Sequence, residues 1–477
     1  MLEHCTPREV FSIFEEFCAL PHPSRNTKAA TDYCVRFAKA HGLAYRTDEA
    51  GNVIIRKPAT PGKETAPTVI LQGHLDMVAE KEPDCPINFD TDGLSLFLDG
   101  DLIGAHGTTL GGDDGVAVAM VLAILADTTL SHPAIEAVFT TDEEIGMLGA
   151  EAMDMSDLLG RYMINIDSEE EGILTVSCAG GAQADIHLPV CREAASGHVV
   201  SVLLDGMSGG HSGAEIHKNR ANADRVAAML LAAVGAVCGV RLIAIEGGTK
   251  DNAIPCRATC RFYVDDVAAA EAAIGAFRET IQATYAESDP GLTLTYEIRE
   301  ENTPALTEEG TRVLQSLLLD IPCGVQKMST DIPGLVQTSL NLGILTTSDT
   351  DMHAVYSVRS SVGEEKRELL ARMRALAMAA GASFAVEGEY PAWEYKKVSP
   401  LRDTVVDTYR RLYGREMKVE AIHAGLECGL FSDRIPGLEC VSLGPNMQDI
   451  HTTRERLSVS SVRRTYEFVC AILASIA

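Results

Sequence analysis

The chain has 477 residues, more than one hydrophobic core usually accommodates, so at least two domains are expected. Its composition, with 46% apolar and 23% charged residues, is that of a folded protein and excludes a largely disordered chain. The net charge of -28 argues against nucleic acid or an anionic membrane as a partner, because binding to phosphates needs clustered Lys and Arg. The 13 cysteines are odd in number and scattered, and the N-terminus lacks signal-peptide features, so a cytoplasmic protein with reduced thiols is expected.

The first 186 residues alternate strand and helix signals. Short apolar runs rich in β-branched residues predict buried strands at 68–72, 134–140 and 163–166, and an apolar helix is predicted at 114–126. This alternation predicts an α/β catalytic domain with a largely parallel sheet flanked by helices.

The pattern changes over residues 187–388, where the first predicted strand spans 188–204. Two successive rounds of strand, helix, strand, strand, helix and strand predict an inserted α+β lid domain made of two split-βαβ-like halves. From residue 389 to 477 the first pattern resumes. The predicted catalytic domain is therefore discontinuous, with a first part at 1–186 and a second part at 389–477.

Acidic and histidine motifs follow several of the predicted strands of the catalytic domain. These residues are His74 and Asp76 after 68–72, Glu143 and Glu144 after 134–140, Asp167 after 163–166, and His451 beyond a strand near 439–443. The carboxyl ends of parallel strands share one edge of a sheet, so these groups can converge. Asp113 instead lies at the predicted start of a helix, where a carboxylate suits exposed N–H groups.

Each motif alone is more often structural than functional. A lone histidine after a strand is usually just hydrogen-bonded, and two adjacent glutamates are usually a solvated turn. Several carboxylates and two histidines at one sheet edge are costly unless a cation compensates their charge. The mixed nitrogen and oxygen ligands favour zinc, with manganese or cobalt as substitutes.

The order and spacing of the motifs resemble those of the di-zinc aminoacylase/carboxypeptidase/dipeptidase family, and most of all its aminoacyl-histidine dipeptidase branch. The resemblance covers nearly the whole chain and rests on GHLDMV, LGGDDG, TTDEEIG, NIDSEE, GGHSGAEIHKNRANA, DNAIP, TSLNLG, VRSSV, HAGLECG and the final His451. The chain departs from the usual family pattern in two places. Residues 112–115 read Gly-Asp-Asp-Gly, and His451 is followed by Thr-Thr-Arg-Glu.

The resemblance implies a ligand set for two zinc ions and a water between them. Asp113 would bridge the ions, His74 and Asp167 would complete one, and Glu144 and His451 the other. Asp114 is the neighbouring alternative to Asp113. Glu143 would be the general base, and Asp76 would hydrogen-bond the far nitrogen of His74.

The resemblance also implies groups in the lid domain. His211 would donate to the oxyanion, and Arg359 and Asn252 would bind the substrate carboxylate. The expected substrates are unblocked dipeptides, including Xaa-His types. His353, His106 and His132 receive no functional role.

Three questions stay open at this stage. An N-acyl amino-acid deacylase using the same metals is the nearest alternative, and a non-catalytic peptide- or metal-binding relative is a more distant one. A homodimer is also compatible with the resemblance, with His211 acting either within its own chain or across to a partner.

Overall fold

The computed structural model describes residues 1–477, and the chain forms two compact units. The first unit contains Met1–Cys178, Tyr395–Ala421 and Leu426–Ala477. The second unit contains Ala179–Glu394 and Ile422–Gly425. The predicted domain boundaries at 186/187 and 388/389 stay predictions, because compactness does not by itself define an independently folding domain.

The helices are α1 (Arg8–Cys18), α2 (Lys28–Ala40), α3 (Gly112–Ala126), α4 (Leu148–Ala152), α5 (Ala223–Gly235), α6 (Val267–Thr284), α7 (Glu308–Asp320), α8 (Gly363–Ala379), α9 (Pro400–Tyr413), α10 (Cys428–Arg434) and α11 (Val459–Ser475). The strands are β1 (Ala44–Thr47), β2 (Val53–Lys57), β3 (Val69–His74), β4 (Leu96–Asp99), β5 (Leu102–Ala105), β6 (Ile135–Thr140), β7 (Tyr162–Asn165), β8 (Ile173–Cys178), β9 (Gly180–Pro189), β10 (Arg192–Glu193), β11 (Gly197–Asp205), β12 (Gly210–His211), β13 (Val240–Gly247), β14 (Ala253–Ile254), β15 (Ala258–Val264), β16 (Thr293–Glu301), β17 (Ala305–Leu306), β18 (Gly324–Met328), β19 (Val336–Thr347), β20 (Asp351–Ser360), β21 (Ser383–Tyr390), β22 (Lys418–Ile422), β23 (Glu439–Ser442), β24 (Met447–Gln448) and β25 (Arg456–Ser458).

The first unit is built on an eight-stranded sheet with the order β1-β2-β6-β3-β7-β23-β8-β22. Its four central strands, β6, β3, β7 and β23, are parallel, whereas β1, β2 and β8 pair antiparallel at the two sides. Both β3 and β6 are buried along their whole length, as expected for strands covered on two faces. This confirms the predicted α/β class with a largely parallel central sheet.

Helix α3 shows why the sheet centre is so apolar. Its residues from Gly112 to Leu125 are all buried, so this helix is hydrophobic all round rather than amphipathic. Three phenylalanines of α1, Phe11, Phe14 and Phe17, belong to the same core. The buried helix places its N-terminal end, which carries Asp113, beside the end of β3.

The second unit contains a nine-stranded sheet whose path is β16-β11-β15-β13-β19-β20-β9-β21, with β18 paired to β19. The first half runs β11, α5, β13, β15, α6 and β16 along the chain, which is the predicted split-βαβ order. The second half has β19, β20, α8 and β21 with β9 between β20 and β21. The two predicted halves are therefore present.

One strand assignment in this unit is wrong. A single strand was expected at 188–204, but this stretch contains the end of β9, the short β10 and most of β11. Pro189 ends β9, because proline cannot donate a ladder hydrogen bond, and Gly197 begins β11 with a positive φ of 142°. As a result β9 belongs to the second half of the sheet, although it precedes the first half in sequence.

No helix of the protein is both long enough and apolar enough to cross a membrane.

Candidate metal centre

Parallel pairing brings the ends of three strands to one edge of the first unit's sheet. His74 is the last residue of β3 and lies opposite Thr140, the last residue of β6. Asp167 comes two residues after the end of β7, which pairs with β3 on its other side. The turn after β6 carries Glu143 and Glu144, so residues remote in sequence share this edge.

Asp113 stands between the two histidines. Its Oδ1 lies 3.1 Å from Nε2 of His74, and its Oδ2 lies 3.2 Å from Nε2 of His451. His74 Nε2 is also 3.9 Å from Asp167 Oδ1, and His451 Nε2 is 3.0 Å from Glu144 Oε2. Each oxygen of Asp113 therefore faces a different histidine, and each histidine has a second carboxylate beside it.

The charges at this edge are poorly compensated. Burial, and then the charges of Asp114 and Asp113, raise the pKa of Asp167 well above its ordinary value. Burial also raises the pKa of Asp114. Hydrogen bonds with Asp113 and Glu144 raise the pKa of His451 to about 10. Burial and crowding thus penalise the charged carboxylates at this edge, and divalent cations would compensate that charge.

His74 is oriented as a metal ligand. Its Nδ1 lies 3.0 Å from the backbone oxygen of Asp76, to which an N–H at this position can donate. That tautomer leaves the lone pair of Nε2 directed at Asp113, as a ligand requires. Two three-residue groups meet the distance requirements of a metal site here, namely His74 with Asp113 and Glu144, and His74 with Asp114 and Asp167. The residues present therefore fit divalent metal.

Asp113 and Asp114 differ in their contacts. Asp114 is fully buried, and its Oδ2 accepts the backbone N–H of His74 at 3.2 Å. Asp113 lies at the start of α3, as predicted, but both residues have non-helical backbone angles and neither side chain caps the helix. The peptide bond between them is cis. The carboxylate of Asp113 faces the two histidines, whereas that of Asp114 faces the backbone of β3.

Asp76 organises the turn that carries the two glutamates. Its carboxylate accepts the N–H of Glu143 at 3.0 Å, the N–H of Glu144 at 3.3 Å and the hydroxyl of Ser24 at 2.8 Å. Asp76 Oδ1 is 3.5 Å from His74 Nδ1, farther than its own backbone oxygen. Asp76 was predicted to contact the far nitrogen of His74, which is Nδ1. The backbone oxygen of Asp76 lies closer to this nitrogen than its carboxylate does.

Glu143 has no short contact with either histidine. Burial, and then the charges of Glu427 and Glu144, raise the pKa of this carboxyl to about 8 against the opposing charge of His74. A carboxyl poised near neutral pH is suited to accept and return a proton.

Two buried glutamates of this unit were not identified from the sequence. Glu455 accepts the backbone N–H groups of Leu110 at 2.7 Å, Gly112 at 2.8 Å, and, at longer distances, Gly111 and Asp113. Glu427 accepts from Thr140 Oγ1 at 2.7 Å and from Gln72. Burial raises the pKa of both carboxyls to about 7. The only sequence signal was an acid a few residues after His451 and another in HAGLECG.

His211 lies in the second unit, in the two-stranded pairing of β12 with β14. Its Nδ1 accepts the N–H groups of Gly213 at 3.2 Å and Ala214 at 3.0 Å, so its Nε2 carries the ring proton. Burial, and then the charge of Arg359, lower its pKa. His211 is thus a neutral N–H donor. Asn252 is exposed, and its backbone oxygen accepts the N–H of Ser212 at 2.8 Å.

Arg359 is the centre of a polar cluster in the second unit. It is 8% exposed, its Nη1 donates to the hydroxyl of Tyr390 at 2.9 Å, and its Nε has no hydrogen-bond partner. His423 is also buried, with Nε2 2.7 Å from Ser339 Oγ and Nδ1 unpartnered. Burial, and then the charge of Arg359, lower the pKa of His423 to about 3. A buried guanidinium with an unpaired N–H and no carboxylate partner suits an anion.

The sequence and the fold place the chain among known enzymes. Residues 70–475 match the model of peptidase family M20/M25/M40, and the chain belongs to this family of metallopeptidases. It is 35% identical to the cytosol non-specific dipeptidase of Escherichia coli (strain K12) over 479 residues, which cover 100% of this chain and 99% of that relative.

Solved structures agree with this assignment. The aminoacylhistidine dipeptidase from Vibrio alginolyticus is similar with a TM-score of 0.95 and 32% identity, over 100% of this chain and 98% of that one. The aminopeptidase PepT from Bacillus cereus shares the fold with a TM-score of 0.58 at 16% identity, over 99% of both chains. The predicted resemblance to the dipeptidase branch of the family is confirmed.

Proposed function

We propose that this chain is a dipeptidase that hydrolyses unblocked dipeptides, including Xaa-His, with two zinc ions. The observation that carries the proposal is Asp113, whose two carboxylate oxygens each face the Nε2 atom of a different histidine. A carboxylate placed in this way is suited to bridge two cations, whereas one oxygen of Asp114 already accepts the backbone N–H of His74.

The proposed ligands divide into two groups around Asp113. His74 and Asp167 would complete one ion, and Glu144 and His451 the other. When bound, the two ions would activate water and polarise the scissile carbonyl. Two imidazoles with carboxylates and no thiolate favour zinc, with manganese or cobalt as substitutes.

Glu143 is the proposed general base. It takes a proton from the attacking water and later delivers it to the leaving amine, which needs a carboxyl whose pKa is raised toward neutrality. The hydrogen bond from its backbone N–H to Asp76 fixes the turn that holds it. General acid–base catalysis of this kind contributes about 10²–10⁴ in rate.

The second unit supplies the proposed substrate groups. Arg359, with its buried and unpartnered Nε, and Asn252 would bind the carboxylate of the dipeptide. His211, held as an Nε2–H donor, would donate to the developing oxyanion. Both full-length relatives are named dipeptidases, one of them cytosolic, and we propose the same substrate class and a cytoplasmic location here.

Hydrolysis of Ala-His and of N-acetyl-His at equal metal loading tests the proposal. A dipeptidase should cleave Ala-His with the higher kcat/KM, because the N-acetyl compound lacks the free amino terminus. Preference for N-acetyl-His would instead assign the chain to the N-acyl amino-acid deacylases that use the same kind of metal centre.

A further inference from the structure

A row of polar side chains crosses the central strands of the first unit beside the metal centre. Gln72 lies two residues before His74 on β3, and the alternation of side chains along a strand places both on the same face. In the parallel registers Gln72 is the partner of Asn165 on β7, and His74 is the partner of Thr140 on β6. All four side chains therefore share one face of the sheet.

Glu427, the residue before α10, joins this row. Its Oε2 accepts the hydroxyl of Thr140 at 2.7 Å and an N–H of Gln72. The amide oxygen of Gln72 in turn accepts an N–H of Asn165 at 2.6 Å. Although Glu427 stands at the start of α10, its side chain does not cap that helix. The carboxylate is instead directed at the sheet face that carries His74.

The negative charge of Glu427 is not balanced within this row. The residue is fully buried, and its Oε1 has no hydrogen-bond partner. The two groups that donate to Oε2 are uncharged. Moving a carboxylate out of water is costly unless a positive charge compensates it, and uncharged donors compensate only part of the cost. A nearby cation would compensate the rest.

The metal centre is the nearest source of such a charge. Thr140 donates to Glu427, and it is also the neighbour of His74 on the adjacent strand. Adjacent strands lie only about 4.8 Å apart. In protein surroundings with an effective dielectric constant of about 20, charges at a given distance interact roughly four times as strongly as in water. The carboxylate of Glu427 can therefore attract cations held at His74 without touching them.

We propose that the buried charge of Glu427 strengthens metal binding at His74, although Glu427 is not itself a ligand. This inference rests on the proposed metal centre and adds to it an electrostatic partner outside the ligand set. Gln72 and Thr140 hold the carboxylate in place. Because the effect is one of charge, a neutral residue of the same shape should weaken metal binding, whereas the loss of one hydrogen bond should matter much less.

Competition between the full-length protein and a zinc chelator at pH 8 tests this role. Burial raises the pKa of the Glu427 carboxyl to about 7, so pH 8 keeps it ionised. We expect Glu427→Gln, which removes the charge but keeps the size and an acceptor oxygen, to weaken zinc binding about 10- to 100-fold. Thr140→Val removes a hydrogen bond but keeps the charge, and its zinc affinity should stay close to that of the wild type.

The stabilisation that zinc confers separates this role from a purely structural one. A ligand stabilises a folded protein more the more tightly it binds, so zinc should raise the melting temperature less in Glu427→Gln than in the wild type. The matched control is Glu136→Gln, which changes a buried glutamate near the other end of β6. This control should lower the melting temperatures of the metal-free and zinc-loaded proteins equally.

A conservative variant distinguishes charge from shape. Glu427→Asp keeps the charge on a shorter side chain and should bind zinc more tightly than Glu427→Gln. Equal weakening in both variants, or wild-type zinc affinity in Glu427→Gln, would overturn the inference. A wild type that fails to bind two zinc ions would overturn the metal centre itself, so the two failures are distinguishable.

Discussion

The metal centre of the first unit and the cluster around Arg359 in the second are opposites in charge. The first gathers the carboxylates of Asp113, Glu144 and Asp167 around two histidines. The second gathers a guanidinium and two imidazoles with lowered pKa values, His211 and His423, and leaves N–H and nitrogen atoms unpaired.

The difference shows what each cluster lacks. A buried charge is tolerated where a ligand of opposite charge compensates it, so the carboxylates of the first cluster favour cations and the guanidinium of the second favours an anion. The proposed dipeptide substrate carries a terminal carboxylate, which is the kind of group that the second cluster suits. Substitutions in each cluster should therefore impair different steps, namely the chemistry in the first and recognition of the carboxylate in the second.

Replacing Glu143 should separate metal binding from catalysis. We expect Glu143→Ala and the isosteric Glu143→Gln to lower kcat by about 10²–10⁴, because they remove the proton carrier but no ligand. Bound zinc, measured by elemental analysis, should stay at the wild-type level. Glu151→Gln, an exposed change on α4, is the control. Wild-type turnover in Glu143→Ala would refute its assignment as base.

Replacing Arg359 should affect recognition of the substrate carboxylate. Losing a hydrogen bond to a charged group costs about 1.5–3 kcal/mol, so Arg359→Met should lower kcat/KM for Ala-His by roughly 10- to 150-fold. The loss should be much smaller for Ala-His amide, which has no terminal carboxylate. Arg299→Met, an exposed change on β16, should have no effect. An equal loss on both substrates would show that Arg359 is structural.

Replacing Glu455 should loosen the metal centre from outside the ligand set. Its carboxylate accepts the backbone N–H groups of four consecutive residues, Leu110 to Asp113. Glu455→Gln removes the negative charge and so weakens these hydrogen bonds. We expect zinc affinity to fall about 10- to 100-fold, the usual effect of changing a group that orients a ligand. Competition with a chelator measures this. Unchanged zinc affinity would mean that residues 110–113 keep Asp113 in place without Glu455.

The smallest effect concerns stability in acid. The folded-state pKa of His423 is lowered to about 3, below its ordinary value near 6.5, so the unfolded chain binds a proton that the folded chain excludes. Stability should therefore fall as the pH drops from 6.5 toward 3, by at most about 1.4 kcal/mol per pH unit from this group.

Denaturant unfolding at pH 7 and pH 5 measures this difference. His423→Gln should lose less stability between the two values than the wild type. The exposed change His217→Gln should behave like the wild type. The same pH dependence in all three proteins would contradict the role of His423.

Much of the first unit could be predicted because its central strands are short apolar runs, which are typical of buried strands. Buried apolar runs defined β3, β6 and β7, and the acids and histidine after them fall at one sheet edge because parallel strands end together. The contacts of Glu455 and His423 could not be predicted, since they join residues hundreds of positions apart or depend on burial.

Reconstitution of the metal-depleted protein tests the central claim most directly. Zinc is added in steps while bound metal and Ala-His hydrolysis are both followed. Activity should rise to its maximum as two equivalents bind and should not rise further as more zinc is added. Full activity without metal, or with a single equivalent bound per chain, would contradict a two-zinc centre built on Asp113.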